Sequence, residues 1–267
     1  MFEQKKPLVS IVIPSWFEGG QDGRYGEDET FNIANECLKR LIEVTPKELY
    51  ELIIIDNGST FVGEEVEKYF KNADILIRNK INLGFGPAVN QGIAVARGMF
   101  VMQLNNDILI WKGFLEQMLA DFKNLERFGD KVGLLMPAIV KEKIRFWDAL
   151  KMEKKDINMT LNAGKFGVGA EFGSCYLGRK ETFNSIAKYR DGYQVLDENF
   201  LIGFGEDRWL YREIRMRGLE TYRTHNVRVL HVGNLSMSKA KNQEGNRELI
   251  LKNREYLEEL KKKNNIQ

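Results

Sequence analysis

Apolar runs broken by short polar clusters recur along residues 1–110. The most telling is 99–111, MFVMQLNNDILIW, which breaks into Asn105, Asn106 and Asp107 and resumes with Ile108, Leu109 and Ile110. Such a run predicts a strand buried on both faces, as in a parallel sheet covered by helices. Residues 8–13 predict a first strand stopped by Pro14, 51–55 a second, and 75–77 a third. Between them lie helical patterns. Phe31, Ala34, Leu38, Leu41 and Ile42 repeat at helical spacing over 30–45, with Thr30 as a cap, and 62–70 and 87–97 follow. Strand and helix alternate with short links, which predicts parallel pairing and right-handed crossovers.

Further on, 113–128 reads as a helix, 132–140 as a strand and 209–217 as a helix ended by Gly218. Residues 221–232 alternate like a strand and carry His231, and 246–263 form a terminal helix. Residues 141–165 have no clear period. Residues 164–178 are rich in glycine, which suggests close approaches of backbone.

The chain of 267 residues, 43% hydrophobic, is long enough for one large domain or two small ones. Its 40 Lys+Arg nearly balance 38 Asp+Glu, which argues against a nucleic-acid binder. Lysines in 252–263 interleave with Glu255, Glu258 and Glu259, the pattern of a solvated helix face. Cys37 and Cys175 stand far apart and read as reduced, structural thiols of a cytoplasmic protein. No leader pattern opens the chain, and no window is apolar enough to span a membrane.

Asn and Asp are ordinary turn residues, so 105–107 alone reads equally as turn or site. Polar clusters, however, end three of the expected strands, at 16–18, 56–60 and 105–107. In open α/β sheets, the crevice beyond the carboxyl ends of the strands holds ligands, so the repetition favours a site. Gly84-Phe85-Gly86 opens a helix, but Val89 stands where a dinucleotide fingerprint needs its third glycine. Asp107 suits a hard divalent cation completed by a diphosphate. His231 taken alone is more often structural than a ligand. Glu206-Asp207 reads equally as two acids on a helix dipole or as a general base with its neighbour.

Taken together, the clusters resemble glycosyltransferase family 2, the inverting nucleotide-sugar transferases. Five elements stand in the family's order: 11–14 (IVIP) with Trp16 and Glu18 after them; 54–59 (IIDNGS); Asn82-Leu83-Gly84 with Asn90-Gln91-Gly92; Leu104-Asn105-Asn106-Asp107; and Asp197-Glu198 followed by Gly205-Glu206-Asp207 and His231. The resemblance implies an α/β fold of the GT-A (Rossmann-like) type, with a mixed, mainly parallel central sheet flanked by helices. It implies a domain over 1–240, nucleotide-binding in 1–110 and acceptor-binding in 111–240, with 241–267 as a helical extension. Pro14, Trp16, Glu18, Asp56, Asn82, Asn90 and Asn106 would line the nucleotide-sugar. Asp107 and His231 would hold a divalent cation, Mn²⁺ or Mg²⁺. Asp207 would be the catalytic base, and Glu206 and Ser174 would meet the acceptor. The implied partners are a nucleotide-diphosphate-sugar donor and a glycan, lipid-linked or protein acceptor, compatible with peripheral membrane association.

Three positions depart from the family pattern. The metal motif is Asn-Asn-Asp, Phe17 replaces an Asn, and the loop 19–29 is long. The first departure raises a rival reading, a nucleotide-sugar-binding protein without turnover. A nucleotidyltransferase would need a glycine-rich triphosphate loop early in the chain, and 14–18 is not one.

Overall fold

The computed structural model describes residues 6–18, 29–60, 63–140, 145–153, 166–169, 173–187, 193–200, 205–232 and 244–263. The strands are β1 (Val9–Ser15), β2 (Tyr50–Asp56), β3 (Ile75–Arg78), β4 (Phe100–Leu104), β5 (Ile108–Leu109), β6 (Val132–Ile139), β7 (Phe166–Val168), β8 (Cys175–Arg179) and β9 (Glu220–His231). The α-helices are α1 (Glu29–Val44), α2 (Glu64–Phe70), α3 (Phe85–Val95), α4 (Phe114–Arg127), α5 (Phe146–Ala149), α6 (Lys180–Ile186), α7 (Glu206–Met216) and α8 (Glu244–Lys263).

The strands run β3-β2-β1-β4-β8-β6-β9-β5, with β7 also on β9. β1 pairs in parallel with β2 and β4, and β2 with β3, as the alternation of strand and helix requires. Every residue of β2 and β4 is buried, the signature of strands covered on both faces, whereas edge strand β3 alternates half-buried and exposed. β8 enters antiparallel between β4 and β6, and β6 pairs in parallel with β9. The sheet is therefore mixed and mainly parallel on the side of the first half.

Several expectations need correction. Pro14 does not stop β1: it pairs with Ile55, and Ser15 with Asp56. Ser15 offers its carbonyl to the β2 side, so Pro14, one residue earlier, turns its missing N–H toward β4, whose pairing with β1 has ended at Gln103. No ladder bond is lost there. Thr30 lies inside α1 instead of capping it. The run 99–111 is two strands: β4 stays with β1, while β5 turns away to pair with β9.

Two buried polar groups explain each other away from any site. Glu51, 3% exposed, accepts from Ser10 Oγ (2.6 Å) and Arg97 N (2.8 Å), and Arg97 Nε donates to its other oxygen (2.7 Å). Phe17 packs edge-on to Phe31 (5.0 Å) and Tyr69 (5.3 Å). That packing accounts for an apolar residue where the family carries Asn. Cys37 and Cys175 are buried free thiols. No helix among the described residues is long and apolar enough to cross a membrane.

Candidate active site

The ends of β1 and β2 are laced together. Asn57 N–H donates to Ser15 O (2.8 Å), Phe17 N–H to Ser59 Oγ (3.0 Å) and Thr60 N–H to Phe17 O (3.0 Å). Asp56, 7% exposed, uses Oδ1 to accept Ser59 N–H (2.9 Å), which fixes the turn after the strand. Gly58 makes that turn at φ +77°, and a Cβ there would collide with the backbone of Ile81 and stand 2.6 Å from Asn82 N. Only glycine lets the two loops touch. Phe17 points into the core, so its neighbours Pro14 and Trp16 are left half-buried and Glu18 exposed.

Asn57, in the polar cluster that ends β2 and given no role of its own from the sequence, ties that turn to residues 79–84. Its Oδ1 accepts from Asn79 Nδ2 (3.0 Å) and Leu83 N (3.1 Å), while its Nδ2 donates to Asn82 Oδ1 (2.8 Å) and Gly84 O (3.0 Å). All four bonding directions of the carboxamide are used. Asn82 Oδ1 also accepts Gly84 N–H (2.9 Å), so Asn82 is held at the entry to α3. Asn90, 1% exposed, is engaged as completely. It accepts from Val195 N (2.9 Å) and Leu196 N (2.8 Å) and donates to Leu196 O and Glu198 Oε1 (both 2.8 Å). Its amide therefore faces residues 195–198.

Residues 105–107 form a turn after β4. The same turn carries Asp107 to the end of β9. Ile108 is in register with His231, Val232 N–H donates to Asp107 O (3.2 Å), and His231 Nε2 lies 3.5 Å from Asp107 Oδ1. A carboxylate oxygen and an imidazole nitrogen at this separation match two neighbouring ligands of one cation, which stand ~3 Å apart when each bond is ~2.1 Å. Imidazole suits Mn²⁺ better than Mg²⁺. Among the described residues, no group of three or more His, Cys, Asp or Glu could hold a metal. Two protein ligands would leave the rest of a cation's shell open to a diphosphate and water.

Asn105 N–H donates to Ser174 O (2.9 Å), which sets the 105–107 turn beside Gly173 and Ser174. Asp207 packs directly on Gly173: a Cβ at residue 173 would lie 2.5 Å from Asp207 Oδ2. Two contacts thus connect the Asn-Asn-Asp turn to the start of α7. Asp207 Oδ1 also accepts the N–H of Arg208 (2.8 Å). Asp207 is half-buried, whereas Glu206 is 5% exposed, and its Oε2 has no hydrogen-bond partner among the described residues. Burial, and then the charge of Asp207, push the Glu206 carboxyl up to about 8. Tyr176 is buried within reach of the charge of both acids. Its phenol is pushed far above its ordinary value, first by burial and then by the charges of Asp207 and Glu206. The loop 19–28 and, in the expected acceptor-binding half, residues 141–144, 154–165, 170–172, 188–192, 201–204 and 233–240 lie outside the described residues.

The sequence profile of Glycosyl transferase family 2 matches residues 10–214, and the chain belongs to that family. It is 27% identical over 164 residues to an uncharacterized glycosyltransferase of Methanocaldococcus jannaschii, covering 56% of this chain and 52% of that protein. It is 26% identical over 125 residues to the poly(ribitol-phosphate) beta-glucosyltransferase of Bacillus spizizenii, covering 42% of this chain and 18% of that protein. The chain thus spans only part of the length of the relatives it matches. The crystal structure of GalNAc-T7 with UDP, GalNAc and Mn²⁺ superposes with a TM-score of 0.58 at 16% identity, over 86% of this chain and 44% of that one. That likeness establishes the GT-A fold.

Proposed function

We propose that this chain is an inverting glycosyltransferase, moving a sugar from a nucleotide-diphosphate-sugar to an acceptor hydroxyl. The observation that carries the reading is that the turn holding Asp107 and the helix start holding Asp207, remote in sequence, both touch residues 173–174. Asp107 stands against His231, and Asp207 against Gly173, with Asn105 bonded to the residue after Gly173. Family membership and the GT-A fold support it.

In this reading the nucleoside lies along Pro14, Trp16, Glu18, Asp56 and Asn82, with the Trp16 ring available for stacking. Asn106 and Asp107 meet the diphosphate end. Asp107 and His231 would hold a Mn²⁺ or Mg²⁺ ion, which when bound neutralises charge on the departing diphosphate. Asp207 takes the proton from the acceptor hydroxyl as that oxygen attacks the anomeric carbon. The bond from carbon to diphosphate oxygen breaks on the opposite face, so one displacement inverts the centre. Glu206 and Ser174 border the acceptor side. Keeping a proton on Glu206 avoids a second negative charge beside the base. Binding energy from the distant nucleoside supplies the positioning. In this reading the acceptor hydroxyl would belong to a glycan, a lipid-linked sugar or a protein.

A panel of nucleotide-sugars with Mn²⁺, screened by thermal shift, identifies the donor, because a ligand bound only to the folded state raises the melting temperature. With that donor, Asp207→Asn should abolish transfer and keep donor affinity. Unchanged turnover in Asp207→Asn would overturn the assignment of the base. A donor that binds the wild-type protein but is neither transferred nor hydrolysed would favour a binding protein instead.

A further inference from the structure

Residues 193–200 lead toward the catalytic pair with almost no regular secondary structure, yet they are held firmly from two sides. On one side stands Asn90 of α3, whose four bonds to residues 195–198 are described above. Residue 86 of the same helix also lies close beneath: a Cβ on Gly86 would be 3.7 Å from Leu196 Cβ. On the other side stands α8. Tyr256 Oη donates to Asp197 Oδ2 (3.0 Å) and accepts from Asn199 Nδ2 (3.1 Å). Asp197 Oδ1 in turn accepts both Asn199 N (3.0 Å) and Asn199 Nδ2 (2.7 Å), so the hydroxyl closes a small polar knot. The Tyr256 ring packs edge-on to Phe200 at 5.1 Å.

This packing continues into α7. Phe200, Trp209 and Leu257 form one buried cluster, with Tyr256 and Leu260 against it. The Phe200 ring lies where a Cβ of Gly205 would be, 2.8 Å from its Cε1, and Gly205 immediately precedes Glu206 and Asp207. The backbone N–H of Trp209 closes the first turn of α7 on Gly205 O (2.9 Å), and the Trp209 side chain belongs to the cluster, so the cluster packs on the first turn of the helix that carries Asp207. One continuous set of contacts therefore runs from Asn90, through 195–200, to the start of α7, and α8 seals it from outside.

We propose that Tyr256 is a positioning residue for transfer: by tying residues 197–200 to α8 it fixes the first turn of α7 and hence the carboxylate of Asp207. The same strap reaches back to Asn90 of α3, but the hydroxyl of Tyr256 bonds only its far side, at residues 197–199. The inference rests on the function proposed above for Asp207. Among the described residues, Tyr256 bonds to Asp197 and Asn199 and packs on Phe200, none of them assigned to donor binding above, so its effect falls on placement and not on donor binding.

Tyr256→Phe in the full chain removes one oxygen and keeps the ring against Phe200. Two readouts test it. By hydrogen exchange, peptides covering 193–200 and 205–212 should exchange faster in Tyr256→Phe than in wild type, since the knot and the helix start loosen together. Faster exchange confined to 251–263, or no change at all, overturns the proposal. By steady-state kinetics, kcat should fall about tenfold with donor KM within about twofold, the split expected of a displaced catalytic group. Wild-type kcat in Tyr256→Phe overturns it as well. Asn199→Ala, which removes the partner of the hydroxyl on the strap, should reproduce both effects; a normal Asn199→Ala counts against the knot. If the wild-type protein turns over no donor, the proposed function fails, and the exchange experiment alone decides whether α8 holds the start of α7.

Discussion

The carboxylate of Asp207 fills the space in which Gly173 lacks a side chain: its Oδ2 lies 2.5 Å, and its Cγ 3.1 Å, from where a Cβ on residue 173 would stand. Gly173→Ala should therefore push that carboxylate aside. The displaced atoms end a short, rotatable side chain, so the stability loss should stay within ~1 kcal/mol. Transfer should fall roughly 100-fold, the scale of a misplacement near 1 Å, while donor affinity is kept. Kinetics paired with thermal unfolding checks this; full activity in Gly173→Ala would detach Asp207 from the chemistry.

Glu206 carries a pH signature. Its carboxyl is pushed from 4.5 to about 8, first by burial and then by Asp207. The folded protein thus keeps a proton that the unfolded chain gives up near 4.5. By linkage, stability from this group is intact below 4.5, declines as pH rises to about 8, and is flat above that. Glu206→Gln removes the titration. The melting temperature of the variant should gain on wild type steadily from pH 5 to pH 8, an interval set by the linkage of one raised carboxyl, roughly. Parallel melting curves across that range would show that Glu206 is not held protonated.

Asn57 organises the loops on which the nucleoside is proposed to rest. Asn57→Asp replaces its two donors with an acceptor facing Asn82 Oδ1 at 2.8 Å and Gly84 O at 3.0 Å. Buried acceptors then oppose one another, at a cost of ~2–3 kcal/mol. Denaturant unfolding measures that loss, and calorimetry with the donor nucleotide should show affinity about tenfold weaker, the equivalent of ~1.4 kcal/mol. An unaltered affinity would mean that residues 82–84 do not line the nucleotide.

Glu51 is the counter-case, a buried polar cluster with a structural task. Glu51→Ala takes the acceptor Oε1 away from the hydroxyl hydrogen of Ser10 and the N–H of Arg97. The expected loss is ~2–4 kcal/mol in denaturant unfolding. Kinetic constants, measured below the unfolding transition, should not change. A kinetic defect without a stability loss would contradict this division of labour.

The first half of the chain was readable because β1, β2 and β4 are buried on both faces and so appear as unbroken apolar runs. Of the residues proposed for the nucleotide, Trp16, Glu18, Asp56 and Asn106 stand where those runs break. What escaped the reading works through partners distant in sequence. β8 is five residues containing Gly178 and Arg179, too short and mixed to show a period, and its antiparallel insertion depends on β4 and β6 together. Asn57 looked like one more turn residue beside Asp56, because its four partners lie at 79–84. Asn90 stood in a motif, yet its amide is turned to 195–198. Gly173 and Tyr256 gain their meaning only from Asp207 and Asp197, which no local pattern links to them.

The central claim is that the carboxylate of Asp107 and the imidazole of His231 form one metal and diphosphate site in the cleft that Asp207 faces. Crystals of the full chain with UDP and Mn²⁺, with anomalous data collected at the manganese edge, test it most directly. The account predicts one anomalous peak shared by Asp107 Oδ1 and His231 Nε2, the diphosphate attached to it, the base beside Trp16 and Asp56, and Asp207 across the same cleft. Manganese bound at other carboxylates, with Asp107 and His231 still 3.5 Å apart and untouched by the nucleotide, would contradict it.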